Sequence, residues 1–329
     1  MIIFRKRSKT IPIGNWDIKH FVVAYLNTQT ASKQSHPLTT GLIVRGCYTY
    51  LMFEIKPLCK SDYDFAVELA NTMDWHMAAE DFIFMDSLEP EGCFLLRDDT
   101  NPVGIATCIS YGKIGWFGNL VIRKESRKKG AGSALVSHAI NYLRQKGVET
   151  IGLYAYPYLV PFYTKLGFRS NINFSVLHNP HLSPISTKPL PTIKKSDLLS
   201  IVRFDQAFFG GNRKKLLQSI ILDPNNTSCC ISQDDQILGY VAATVYEKAA
   251  WIGPLICQSQ RPDIAVALVN SVLSKLATKH VYTVIPQDSA LAELFFSAGF
   301  SEDFFVTRMF LGQTSTKNCI YLTESLERG

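Results

Sequence analysis

The stretch RKESRKKGAGS, from Arg123 to Ser133, sets five cations and two glycines just ahead of the amphipathic run ALVSHAINYL. Glycine costs a helix about 1 kcal/mol relative to alanine, so Gly130 and Gly132 at a helix opening need a backbone reason. The first amides of a helix have no partner within it and carry the positive end of its dipole. With no Cβ at Gly130 and Gly132 an anion can come close to those amides, and a phosphate is the ligand that suits them. The interval Arg127-x-x-Gly130-x-Gly132 lacks the Lys-Ser/Thr pair of nucleotide-hydrolase phosphate loops, and it is not the dinucleotide pattern GxGxxG. Taken alone, a six-residue match is a weak signal, and a solvated basic turn is the alternative.

Other chemistries find little support. The eight cysteines are scattered without a CxxC pair, mostly in apolar runs, which points to reduced core thiols rather than to disulfides or zinc. The seven histidines lack metal spacing, and His178 and His181 fall in a proline-containing connector as solvated imidazoles, so no metal is expected. The formal charge of +6 is uneven: before residue 54, Arg5, Lys6, Arg7, Lys9, Lys19, Lys33 and Arg45 face the single acid Asp17. That arm contains no nucleic-acid recognition module, and neither nucleic acid nor a membrane is expected as partner. No apolar run approaches the ~20 residues of a membrane span, and MIIFRKRSK lacks the form of a secretory signal, so a cytoplasmic protein is expected.

The elements that must position the glycine loop follow from periodicity. FEIKPL reads as a strand, SDYDFAVELANTM as a helix capped by Ser61, and AAEDFIFMDSL as a second helix. GCFLLRD, PVGIATCISY and KIGWFGNLVI form an antiparallel meander punctuated by DDTNP and YGK. The glycine-opened helix comes next, then strand ETIGLYAY, short helix YLVPFYTKLG and strand FRSNINFSVL. After the proline-rich NPHLSPISTKPLPT the same order returns, with echoes of FYTKLGF in FFSAGF and of NPVGIATCISY in DQILGYVAATVY, which indicate a tandem repeat. The expected division is a poorly ordered basic extension (1–51), a first domain (52–178), a linker (179–192), a second domain (193–313) and a tail (314–329). Met52 marks an alternative start of translation.

Strand, basic glycine loop and helix together resemble the acetyl-CoA signature of the GCN5-related N-acetyltransferase (GNAT) superfamily, Arg/Gln-x-x-Gly-x-Gly/Ala after the fourth strand. YPYLVPFYTKLGF resembles that superfamily's fourth-helix motif ending in Tyr-x-x-x-Gly-Phe. MDWHMAAEDF, YGKIGWFGNLVI, FDQAFFGGNRKKLL, WIGPLI and RMFLG extend the resemblance to a bacterial and archaeal double-GNAT subfamily. It implies an α/β (α+β) chain of two tandem GNAT folds, each a mixed, mostly antiparallel twisted sheet flanked by helices.

The resemblance also implies a site. Splayed fourth and fifth strands would hold pantetheine against the backbone of Leu120 and Val121. Arg127, Lys128, Lys129, Gly130, Ala131, Gly132 and Ser133 would hold the pyrophosphate, mostly through amides. Tyr163 would donate a proton to the departing CoA thiolate, whose pKa near ~8.5 suits a phenol. The reaction would be direct attack of an amine on the thioester, with acetyl-CoA as co-substrate and a small amine as acceptor. WFGNLVI offers no carboxylate as base, leaving Asp74, His76 and Asp81 as candidates, and Tyr156 stands where an asparagine is common. Trp75, Trp116 and Phe117 are candidates for the acceptor wall, although buried aromatics are more often core.

The second half has Pro254 and Gln258 where a working loop would have glycine and amides, and phenylalanine in place of the acid tyrosine. It is expected to complete the acceptor pocket or to stabilise the first domain, with Asp205 and Arg213 facing the acceptor mouth or solvent. Acetylation of a protein or peptide, and noncatalytic sensing of an acyl-CoA, remain as alternatives.

Overall fold

The computed structural model describes residues 53–183, 187, 189–276, 279–314 and 318–329. The extension 1–51 lies outside the described residues. The first half runs β1 (Phe53–Pro57), α1 (Tyr63–Asn71), α2 (Ala79–Leu88), β2 (Cys93–Asp98), β3 (Asn101–Ser110), β4 (Ile114–Ile122), α3 (Ala131–Gln145), β5 (Thr150–Ala155), α4 (Val160–Lys165) and β6 (Arg169–Asn179). The second repeats that order without an opening strand as α5 (Leu198–Phe209), α6 (Lys214–Ile221), β7 (Thr227–Gln233), β8 (Gln236–Val245), β9 (Ala249–Gln258), α7 (Pro262–Leu273), β10 (His280–Pro286), α8 (Ala292–Ser297) and β11 (Ser301–Leu311). It then adds β12 (Cys319–Leu322). Entry to α1 differs from the expected Ser61 cap. A 3-10 turn, Lys60–Asp62, comes first, and the Asp62 carboxylate accepts from the Cys59 amide at 3.2 Å, a stronger acceptor than a serine hydroxyl.

The two halves share one twelve-stranded sheet, in the order β1-β2-β3-β4-β5-β11-β6-β10-β9-β8-β7, with β12 attached to β9. Each half therefore receives the other's closing strand. β11 lies antiparallel to β5, from Thr307 opposite Ala155 to Leu311 opposite Ile151. β6 lies antiparallel to β10, from Asn179 opposite Val281 to Phe174 opposite Pro286. Pulling the halves apart would open these two ladders and the β6–β11 ladder between them, leaving their amides and carbonyls unpaired, a heavy cost for buried backbone.

Alternation along the strands divides the core. Trp116 and Trp251 project to one face, where α1, α2, α5 and α6 pack into a core common to both halves, including Phe82, Ile201 and Leu217. Their neighbours Phe117 and Ile252 project to the other face. There α3 and α4 cover a first separate core around Leu135 and Phe168. Helices α7 and α8 cover a second around Leu268 and Phe295.

Candidate functional site

The chemistry of the first half is set by where β4 stops pairing. β4 runs parallel to β5 only from Ile114 opposite Thr150 to Trp116 opposite Gly152. Beyond it a bulge against β3 shifts the register between Ile105 opposite Val121 and Thr107 opposite Gly118. Asn119 takes the extra position with φ of 50°, an allowed if uncommon place for asparagine, and its amide donates to the Thr107 hydroxyl at 3.2 Å. The bulge turns β4 away from β5. Leu120 and Val121 thus keep β3 on one side and present backbone to a gap on the other, while β5 continues along β11.

The gap leads to the glycine loop. Gly130 is the N-cap of α3 with φ of 90°, a conformation that strains any side chain, and the space where its Cβ would stand is empty. The amides of Ala131, Gly132 and Ser133 open the helix beyond it. Arg127 does not reach outward: its Nε donates to the Ile122 carbonyl at 2.8 Å, and NH2 lies 3.8 Å from the Met73 sulfur. It braces the loop against the end of β4 although the residue is exposed, as Lys128 and Lys129 are.

At the inner end of the gap lies a recess of about 80 Å³ lined by Trp75, Phe117, Gly118, Asn119, Tyr156 and Tyr163, among others. Tyr163, on α4, is 5% exposed and packs edge-on against Phe117. Burial, with Tyr158 adding to it, raises its phenol above the ordinary range, so it holds its proton at neutral pH. Trp75 donates its indole N–H to the Tyr156 hydroxyl at 3.3 Å, and the Tyr156 ring stacks on Tyr158.

The remaining acceptor candidates lie elsewhere. Trp116 sits on the opposite face of β4, 2% exposed, between Phe209 and Phe310, because strand alternation sends it away from Phe117. Asp74 and His76 flank Trp75 in left-handed conformations, with φ of 58° and 51°, and both are exposed. Asp81 accepts from the Ala78 amide at 2.9 Å and lines a separate small cavity. Asp205 and Arg213 neither face the mouth nor meet solvent. They form a wholly buried ion pair at 2.6 Å.

Sequence reasoning missed the segment after β12, whose Leu326 and Glu327 line the recess. A larger cavity, about 510 Å³, opens on the other face among Trp116, Phe209, Arg308, Phe310 and Asp288. It touches neither Tyr163 nor the open edge of β4. Among the described residues no cluster of His, Cys, Asp and Glu could hold a metal ion, and no helix is long and apolar enough to cross a membrane.

The equivalent gap in the second half is filled. β10 runs parallel to β9 as far as Thr283 opposite Ile252, and β12 then pairs with β9 from Leu322 opposite Leu255 to Cys319 opposite Gln258. Helix α7 opens with Pro262, which has no N–H, and with Asp263 bonded by Arg261 at 2.8 and 3.0 Å. A carboxylate already stands at its positive end.

Comparison with known proteins matches residues 56–168 to the model of the acetyltransferase (GNAT) family and residues 201–321 to that of an acetyltransferase (GNAT) domain. The uncharacterized N-acetyltransferase YitH of Bacillus subtilis strain 168 is 25% identical over 209 residues, 60% of this chain and 71% of YitH. An acetyltransferase candidate from Pyrococcus horikoshii superposes with a TM-score of 0.71 at 20% identity, over 87% of this chain and 99% of its own. A tandem GNAT protein of the clavulanic acid biosynthesis pathway gives 0.53 at 14% identity, over 80% and 100%.

Proposed function

The chain belongs to the GNAT superfamily, with two such domains in tandem, and is an acyltransferase; we propose that its first domain moves the acetyl group of acetyl-CoA directly to the primary amine of a small molecule. One observation carries this reading. The first domain joins an unpaired strand edge at Leu120 and Val121 to a helix opening behind Gly130, while β12 closes the same place in the second.

Pantetheine amides pair with the free edge of β4, and the pyrophosphate rests on amides from Lys128 to Ser133, without a side chain at Gly130 to block it. The thioester then lies over the recess that Tyr163 lines. The amine attacks the thioester carbon, the C–S bond breaks on collapse, and Tyr163 gives its proton to the thiolate. Close placement of the two substrates supplies the orientation that this bimolecular attack needs. The aromatic recess of about 80 Å³ favours a small amine over a bulky one.

The test is mass spectrometry of products from acetyl-CoA and a panel of small metabolite amines, with N-terminal peptides in parallel. A product 42 Da heavier than one small amine supports the reading. Acetylation of the peptides alone replaces it with protein acetylation. CoA binding without any product replaces it with an acyl-CoA sensor.

A further inference from the structure

The cavity of about 510 Å³ lies apart from Tyr163, and we propose that it is a second ligand site, for a small organic acid with an apolar body and a single carboxylate held by Arg308. The proposal goes beyond the transferase reading and stands without it. In the second half this cavity takes the position that the recess has in the first: the end of α5 stands for the stretch after α1, β9 for β4, and the turn after β10 for that after β5. β12 fills the strand gap beside it. The second domain thus keeps an acceptor-type hollow next to a gap that the chain itself has closed, so an occupant is held and not acetylated.

Stretches of sequence that the glycine loop leaves unexplained converge on this hollow. KIGWFG supplies Ile114 and Trp116, FDQAFFGG supplies Phe208 and Phe209, and RMFLG supplies Arg308 and Phe310. Apolar side chains from both domains therefore wall a volume within the span of roughly 300–1,000 Å³ that small-molecule sites occupy.

Arg308 sets the chemistry of the ligand. Alternation along β11 turns it to the same face as Val306 and Phe310, toward the common core, and the residue is half-buried. Its guanidinium carbon lies 4.9 Å from the ring centre of Phe174 and 5.3 Å from that of Phe310, so two rings hold it in place. Nε and one terminal nitrogen both donate to the Asn171 side-chain oxygen, at 3.0 and 2.7 Å. That acceptor is neutral, and among the described residues no carboxylate pairs with Arg308. A charge drawn into apolar surroundings is costly without a counter-ion, and the planar match for a guanidinium is a carboxylate. One negative charge is the limit. Asp288, exposed on the turn after β10, also lines the cavity and disfavours a dianion.

The test is calorimetry on the full chain with indole-3-propanoate, its neutral amide, and acetate, which has the charge without the body. We expect a Kd for indole-3-propanoate below about 1 mM, with the amide at least about tenfold weaker and acetate weaker still. Arg308→Gln should weaken the acid at least about tenfold. Asn171→Asp is the sharper variant, because it keeps the size at an exposed position and hands Arg308 a carboxylate of its own. It should weaken the acid about fivefold or more with the urea midpoint unchanged, and it serves alone if Arg308→Gln does not fold. A parent that does not bind the acid overturns the proposal, as does one that binds the amide or acetate within about twofold of it. So does either folded variant with an affinity within about twofold of the parent's, since the acid would then sit elsewhere. A chain that takes indole-3-propanoate in this pattern but binds no CoA keeps this site and loses the transferase reading.

Discussion

Replacing Arg213 with methionine should cost the protein much of its stability, and the structure gives the size. The guanidinium and the Asp205 carboxylate are each 0% exposed and meet at 2.6 and 3.2 Å. The Tyr240 hydroxyl also donates to Asp205, and the Arg213 guanidinium lies 4.0 Å over the Phe209 ring. Arg213→Met leaves a carboxylate in the common core with one neutral donor. Removing a single partner from a buried pair costs about 3–5 kcal/mol, which for a chain of this size is a fall in melting temperature on the order of 10 °C. The double variant Asp205→Leu/Arg213→Met removes both charges and leaves mainly the Tyr240 hydroxyl unpaired, at about 1–3 kcal/mol, so it should be more stable than the single variant. Urea unfolding of the two variants and Asp205→Leu closes the cycle. A single variant that loses less than about 1 kcal/mol, or a double that loses the sum of the singles, would refute the reasoning. Both variants also release the Gly329 carbonyl, which Arg213 NH1 holds at 2.7 Å.

Tyr163→Phe should leave the Kd for CoA unchanged and lower kcat about 100-fold, since only the proton donor is lost; equal turnover would return Tyr163 to a packing role. Gly130→Glu should abolish CoA binding, because it puts a side chain at φ of 90° and a negative charge in the phosphate cradle, and the parent should titrate to one CoA per chain by calorimetry, not two. His178, stacked 4.1 Å from Tyr282 across the β6–β10 ladder, is pushed down to about 4 by burial and then by His280 and His181. An unfolded histidine titrates near 6.5, so as pH falls from about 6.5 to 4 the unfolded chain gains a proton that the native state refuses, and stability drops across that window. The urea midpoint of His178→Gln should change less than the parent's between those pH values; equal slopes would show that another group titrates.

The parts of the site that are local in sequence were legible. WFGNLVI followed by RKKGAGS encodes a strand, a turn and a helix opening within one continuous stretch, and Tyr163 sits in a short helix marked by Pro161 and Gly167. What depends on which strand meets which was not. β6 and β11 occupy equivalent positions in the repeat, and each runs from a polar start into an apolar stretch, so nothing in either marks that they trade places. Asp205 and Arg213 looked exposed because charge normally is; the common core that buries them exists only once α5 and α6 pack beneath both halves. Trp116 and Phe117 are adjacent aromatics, and alternation alone gives one to the recess and the other to the opposite face. CIYLTESLERG read as a tail because a four-residue strand next to a charged run has no partner until the open edge of β9 is in place.

That edge explains why the second domain keeps the fold after losing the loop. β9 bends away from β10 as β4 does from β5, and such a gap exposes backbone that something must pair with. In the first domain that edge is open, and pantetheine pairs with it in the function proposed above; in the second the partner is the chain itself, with the Thr323 amide closing onto the Val284 carbonyl at 3.2 Å. A Cβ at Gly253 would stand 2.0 Å from the Thr323 carbonyl oxygen, just as one at Gly118 would meet Glu327. One segment therefore crosses the splayed strands of both domains at matching glycines. Its first residues lock it into the second gap, and that grip aims the residues that follow at the first. The gap of the second domain thus anchors the segment that packs on β4 of the first, and the exchanged strands hold the two crossings at a fixed spacing.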